Sequence, residues 1–251
     1  MSDGLLEFAE RYAAAIFDPR ARSLYDGSDF FNVGDWSDGP SGPPAGLGEA
    51  ARRLVERHLS ADAGAEAREA SLVLDIGCGL GAGTAMMVRH YPNAVVLGLN
   101  ISLAQAVHGA RHAPDGRFVV MDGARLGIAS DSVDRVHCVE AAFHFDSRDD
   151  FFAEVGRVLR PGGKAFVSDI LFRKGFGSPI PARNIWTGEA EYRSCCARAG
   201  LVVEALCDIT ACTLRPFHAH IAKSGRRSDA VLQRRAQEAY YFVTLKRPDR
   251  Q

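Results

Sequence analysis

Residues able to do chemistry gather first in Leu72-Val73-Leu74-Asp75-Ile76-Gly77-Cys78-Gly79-Leu80-Gly81, with Ala82-Gly83-Thr84 directly behind them. The apolar run reads as a buried parallel strand. Gly77, Gly79 and Gly81 stand at every second position and make a turn too tight for side chains. A helical pattern resumes after them, and a strand that passes through glycines into a helix N-terminus leaves backbone N–H groups facing a ligand unobstructed. Asp75, at the strand end, asks for a positive group on the same ligand. A ligand with both a carboxylate and an ammonium is an amino acid, which points to the methionine half of S-adenosyl-L-methionine. Gly77-Cys78-Gly79-Leu80-Gly81-Ala82 also fits the dinucleotide fingerprint G-x-G-x-x-G/A, and a plain glycine turn needs no ligand, so three readings stand at this point.

The elements that must position this stretch alternate strand and helix. Strand 71–76 leads to helix 82–90, strand 95–99 to helix 102–112, then come strands 117–121 and 132–139 and helix 149–159. Arg160-Pro161-Gly162-Gly163 turns into strand 164–171. Helix 188–199, strand 201–207, a long segment at 211–238 and a last strand at 239–245 complete the pattern. Repeated β-α spacing predicts a doubly wound α/β sheet with ligands at the strands' C-terminal ends. Ahead of it, residues 5–17 form an amphipathic helix with Leu5, Phe8, Ala9, Tyr12, Ile16 and Phe17 on one face. A non-periodic aromatic stretch from Tyr25 to Trp36 follows, then a Gly/Pro loop at 37–44 and a helix from about Gly46 to Leu59. The division expected is a helical and aromatic lid at 1–60 and a ligand-binding domain at 61–251, with a roofing insertion at about 211–238.

Bulk properties narrow the partners. The chain has 251 residues, 47% hydrophobic and 24% charged, with a net charge of -1, the balance of an ordinary globular protein with no electrostatic case for nucleic acid or a membrane surface. No apolar run approaches a membrane span and the N-terminus lacks a basic start, so a cytoplasmic location is expected. The six cysteines show no C-x-x-C and no paired Cys/His spacing, so neither a zinc site nor a disulfide framework is expected. His58, His90, His108, His112 and His137 fall on predicted helices or strands with no partner pattern and are assigned to surface or core.

Further motifs bring a resemblance. Leu74 to Gly81, Gly98-Leu99-Asn100-Ile101-Ser102 with Gln105, Met121-Asp122-Gly123, Glu140-Ala141-Ala142-Phe143-His144-Phe145, Arg157 to Gly163 and Asp208-Ile209-Thr210 occur in this order. Together they resemble the class I S-adenosyl-L-methionine-dependent methyltransferases, and within them the small-molecule group of macrolide and sugar O-methyltransferases and tocopherol and sterol C-methyltransferases. The resemblance covers nearly the whole chain. It implies a Rossmann-like seven-stranded sheet with the last strand antiparallel, inserted between the fifth and sixth. It also implies S-adenosyl-L-methionine as cofactor, S-adenosyl-L-homocysteine as product, and a small, natural-product-like acceptor of secondary metabolism such as antibiotic biosynthesis. Nucleic-acid methylation is disfavoured because no N/D-P-P-Y/F motif follows the fourth strand. A metal-dependent type is disfavoured because no carboxylates cluster after strands four and five.

Site assignments follow from the resemblance and from chemistry together. Asp75, Gly77, Cys78, Gly79 and Gly81 would hold the methionine end. Asn100, with Ile101 and Gln105, would meet the ribose hydroxyls, as a neutral amide where most class I enzymes place an acid. Asp122 would accept from the adenine amino group, with Gly123 and Ala124 offering backbone groups, and Glu140 would lie near the sulfonium. A hydroxyl acceptor must lose a proton, which suits a histidine. In related sugar methyltransferases a His and an Asp at matching places act as base and orienter, which assigns His144 and Asp169. Tyr25, Phe31, Trp36 and Phe143, with Phe217 and His218 of the late segment, would close over the cofactor and acceptor. Methylation at oxygen is expected. A C- or N-methyltransferase, or a cofactor-binding protein without methyl transfer, are the alternatives, and a homo-oligomer stays open.

Overall fold

The computed structural model describes residues 3–174, 180–186 and 188–249, without the side chains of 3–6 and 8. Its elements run α1 (Asp3–Phe17), α2 (Pro19–Leu24), α3 (Leu47–Ser60), α4 (Ala65–Arg68), β1 (Leu72–Ile76), α5 (Ala82–His90), β2 (Val95–Asn100), α6 (Leu103–His112), β3 (Arg117–Val120) and β4 (Val133–Val139). They continue with α7 (Arg148–Val158), β5 (Leu159–Phe172), α8 (Glu189–Arg198), β6 (Val202–Asp208), α9 (Leu214–Lys223), α10 (Arg227–Ala236) and β7 (Gln237–Lys246). The seven strands form one sheet in the order β3-β2-β1-β4-β5-β7-β6. β7 alone runs antiparallel, paired with β5 on one side and β6 on the other. This is the Rossmann-like architecture expected of the sequence.

Burial follows position in the sheet. Central β1 and β4 are almost wholly buried along their length, which is why they read as continuous apolar runs, whereas β3 at one edge is exposed at three of its four residues. A four-residue edge strand limits the unpaired backbone offered to another chain. The Arg160-Pro161-Gly162-Gly163 turn is an irregularity inside β5. Leu159 pairs with Val133 and Lys164 with Arg135, so the four residues 160–163 of β5 stand opposite the single Asp134 of β4, and Gly162 takes a φ of 79° there.

α3 lies against the sheet, with Leu54, Val55 and His58 buried and the His58 ring 2.9 Å from Ser168 Oγ of β5. The cap formed by α1, α2 and the stretch to Trp36 meets the late segment directly. The Trp36 N–H donates to the Cys212 carbonyl at 2.8 Å, and its ring centroid lies 5.1 Å from that of His220. The expected roof at 211–238 is a helical pair, α9 and α10.

The two ends of the α5–α6 flank are drawn together around one ring. A Cβ on Gly81, Gly98 or Gly109 would come within 2.5–2.9 Å of Phe118 ring or neighbouring backbone atoms, so the Phe118 ring occupies the space that three glycines leave. Gly109→Ala should therefore destabilise the fold by about 1–3 kcal/mol through overpacking, and adding Phe118→Leu should return part of that loss. Urea denaturation midpoints of the two variants check it.

Candidate active site

The chain places β2 and β3 to one side of β1 and β4 to the other, so the strand order reverses between β1 and β4. In open α/β sheets ligands bind at that switch point. Here the turn after β1 meets the turn after β4. Gly77 has a φ of 79°, and a Cβ on it would lie 2.3 Å from the Ala141 Cβ, so the two turns touch only because residue 77 has no side chain. At Gly79, also left-handed at 55°, a Cβ would meet nothing within 4 Å, which leaves its backbone bare toward open space.

A narrow crevice, with a cavity volume of about 80 Å³, opens over this junction. Gly77, Gly79, Asn100, Ile101, Gln105, Asp122, Gly123, Glu140 and His144 all line it, brought from four strand ends. Tyr12 and Ile16 of α1, with Phe31, Met121 and Phe145, supply its apolar walls. A second hollow on the far side of the glycine turn is lined by Asp75, Cys78, Asn32 and Phe30, and it shares Phe31, Gly77, Gly79 and Val139 with the first. Phe31 stands as the partition between the two, held by stacking on buried Tyr25 at 4.3 Å between ring centroids.

Polar groups around the crevice are fixed in advance. Asn100 Nδ2 donates to Gln105 Oε1 (3.0 Å), while Asn100 Oδ1 accepts from the Ser102 N–H (3.0 Å). Asp122 Oδ1 accepts from the Ala124 N–H at 2.9 Å. Asp75 is buried and accepts from Thr84 Oγ1 at 2.6 Å; burial pushes its carboxyl up to about 6. Glu140 has a φ of 57°, rare for a residue with a side chain. Its Oε2 accepts from the Val33 N–H (2.9 Å) and from Tyr240 Oη (2.8 Å). Burial pushes Glu140 up to about 8, against the pull of those two donors. His144 sits on a single 3₁₀ turn, Ala142–His144, with its ring centroid 5.0 Å from that of Tyr12. Burial first, and the Arg148 charge second, lower it to about 4.

Several expected site residues lie elsewhere. Asp169 does not orient His144. Its two oxygens receive Arg148 Nε (2.9 Å) and Nη2 (3.0 Å) in an ion pair with no exposed surface, since β5 carries Asp169 under α7. Phe217 is packed into the core by α9, and His218 bonds Gln237 Oε1 at 2.6 Å beside the groove between α9 and α10. Neither lines the crevice. Trp36 joins cap to insertion, and Phe143 is buried against Phe172. Gly81 caps α5 and packs on Gly109, and Ala124 is buried behind Asp122, so these two also stay outside the crevice.

Arg148, Asn184, Tyr240 and Val33 were missed by sequence reasoning. Arg148 lies under the Trp186 ring face at 5.0 Å and donates to the Asn184 carbonyl. Asn184 Nδ2 in turn donates to the carbonyls of Phe143 (3.2 Å) and Phe145 (2.7 Å). The turn that carries His144 is thus clamped from behind by a buried ion pair and one amide.

Residues 74–167 match the family described as a methyltransferase domain. The methyltransferase GfsG of Streptomyces halstedii is 36% identical over 155 residues, 58% of this chain and 52% of that protein. Erythromycin 3''-O-methyltransferase of Saccharopolyspora erythraea is 29% identical over 167 residues, 64% of this chain and 52% of the other. The chain spans about half the length of these curated relatives. Geranyl diphosphate C-methyltransferase of Streptomyces coelicolor, solved with S-adenosyl-L-homocysteine, superposes with a TM-score of 0.77 at 21% identity over 97% of this chain and 98% of that one. The cyclase SpnF superposes with a TM-score of 0.73 at 18% identity over 97% and 96%. Both show a shared fold, and a fold by itself does not fix the chemistry.

The ion pair behind His144 has a measurable consequence. Asp169→Ala leaves Arg148 charged and unpaired in the core and should cost about 3–5 kcal/mol of stability. Arg148→Met combined with Asp169→Leu should cost far less, because no lone charge remains. Thermal denaturation of the two distinguishes this scaffold role from an orienting role, for which Asp169→Ala would be slow but stable.

Proposed function

We propose that this chain, which carries a methyltransferase domain over residues 74–167, binds S-adenosyl-L-methionine at the β1/β4 switch point and methylates a small, natural-product-like acceptor, at oxygen. One observation carries the reading. A bare glycine turn, an Asn–Gln pair, Asp122, a buried Glu140 and His144 converge on a single crevice from separate segments of the chain.

The residues suit that group. The turn at Gly79 offers unobstructed backbone where a Cβ would fill space, and Asp75 with the adjoining hollow suits an ammonium. Asn100 and Gln105 form a preset polar pair of the kind that meets vicinal hydroxyls, and Asp122 is an acceptor for an amino group. The bound cofactor supplies an electrophilic methyl on a sulfonium. Glu140 faces that region and complements a positive charge, while Tyr12, Ile16 and Phe31 exclude water. We assign the lid role to α1 and the aromatic stretch through Trp36.

The low pKa of His144 bears on which acceptor is used. A neutral imidazole that titrates near 4 is too weak to deprotonate an ammonium, but it readily takes the proton from an oxygen as the new C–O bond makes that proton strongly acidic. An imidazole nitrogen of His144 therefore serves as base late in the transfer. The same argument admits an alkene carbon acceptor, whose cation is equally acidic, as the second reading. The apolar walls of the crevice are compatible with either.

Two measurements test this. His144→Ala should bind S-adenosyl-L-homocysteine as the wild type does while kcat falls by about 10²–10⁴; undiminished turnover would remove the base role. In calorimetry, affinity for the sulfonium should rise as pH approaches about 8, where Glu140 loses its proton, by no more than about tenfold per pH unit. S-Adenosyl-L-homocysteine, with no charge on sulfur, should show a flatter profile. Glu140→Gln should flatten both, and an unchanged wild-type slope in that variant would assign it to another group.

A further inference from the structure

His108 and His112 stand one helical turn apart on α6, outside the crevice, with their rings stacked at 3.9 Å between centroids. Facing them is Asp29, from the segment that leads into Phe30 and Phe31. His108 Nε2 lies 3.0 Å from Asp29 Oδ2. One donor atom from each of the three residues lies within 4.8 Å of the other two.

We propose that Asp29, His108 and His112 form a binding site for a divalent transition ion of the zinc type, which clasps the N-terminal cap to α6. Tautomer and direction favour it. His112 Nδ1 is 2.9 Å from the His108 carbonyl, which can only accept, so Nδ1 carries the hydrogen and Nε2 presents a lone pair. A ring nitrogen tied to a backbone carbonyl is the usual outer support of a metal-bound imidazole. Arg22 Nη2 bonds Asp29 Oδ1 at 2.7 Å, which fixes the carboxylate and leaves Oδ2 toward His108.

Spacing admits it after one side-chain rotation. Ligand atoms at about 2.0–2.2 Å from one tetrahedral ion stand about 3.3–3.6 Å apart, so with Asp29 and His108 already at 3.0 Å the exposed His112 ring must swing inward by about 1–1.5 Å. Two imidazoles and one carboxylate suit Zn²⁺ or Co²⁺ rather than Mg²⁺ or Ca²⁺. An open groove lined by Asp29, His112, Arg52, Glu56 and His90 gives an ion room to enter and leaves coordination positions for water. The ion takes the place of any proton on His108 Nε2.

The site gains its meaning from what it joins. Asp29 is two residues before Phe31, the partition between the two hollows, and α6 begins at the polar pair of Asn100 and Gln105. An ion held at both ends fixes the distance between the aromatic cap and the wall of the crevice, whatever the crevice binds.

Titration of the full chain with Co²⁺, followed by visible absorption, and thermal denaturation with and without Zn²⁺ test the site. The expected result is a saturable d–d spectrum at one equivalent and a rise in Tm with Zn²⁺. Both should weaken by more than about tenfold in affinity in His112→Ala, whose ring is exposed, and in Asp29→Asn. Cys207→Ser should leave them unchanged. Unaltered binding in His112→Ala overturns the site. Unaltered binding in Asp29→Asn overturns the clasp and reduces the pair to a surface chelate, and loss in Cys207→Ser places the ion on a thiol.

Discussion

Everything at the C-terminal edge of the sheet depends on how closely two turns approach each other. β1 and β4 are neighbours at the place where the strand order reverses, and their following turns would collide if residue 77 bore a side chain: its Cβ would be 2.3 Å from that of Ala141. The missing atom closes the gap between the strands while leaving Gly79, two residues on, facing open space. One steric rule thus makes both the contact that shapes the floor of the crevice and the bare backbone that can meet a ligand. Gly81, the third of the series, answers to a different constraint, since its neighbours are Gly109 and the Phe118 ring.

Behind that floor the structure solves a second problem, holding His144 on a turn of only three residues. A 3₁₀ turn of that length has little rigidity of its own. Asn184 ties the carbonyls on either side of His144, and Asn184 is fixed by Arg148, which Asp169 neutralises. The ion pair is buried on both sides, so its worth lies in geometry more than in stability, because desolvation offsets much of the attraction. The charge of Arg148 reaches His144 as well, adding to the burial that keeps the ring neutral.

Fold and floor were legible in the sequence because they are written in local pattern. Apolar runs marked the central strands, and glycine spacing marked the turn. The order of strands was not in the pattern itself and came from resemblance. Asp169 was misjudged because Ser168-Asp169-Ile170 shows only that a carboxylate sits near a strand end. Its partner Arg148 is 21 residues away and looks in the sequence like the first residue of an ordinary surface helix. Phe217 and His218 misled for a related reason: α9 is amphipathic, and sequence alone does not say whether its apolar face covers a ligand or the sheet. His108 and His112 were assigned to surface or core because the residue that faces them, Asp29, comes from a loop 79 positions before His108.

Glu140 gathers these constraints into one side chain. It belongs to the turn after β4, yet its Oε2 is gripped by a backbone N–H of the cap and by the Tyr240 hydroxyl of β7. Both donors favour the charged carboxylate, and burial opposes it strongly enough to move its titration to about 8. Losing the proton strengthens both hydrogen bonds, because a charged acceptor binds its donors more tightly. A positive group entering the crevice stabilises that charged form, and so tightens the bond that holds Val33, and with it the cap, to the sheet. The crevice, the cap and the last strand of the sheet therefore meet at a single carboxylate.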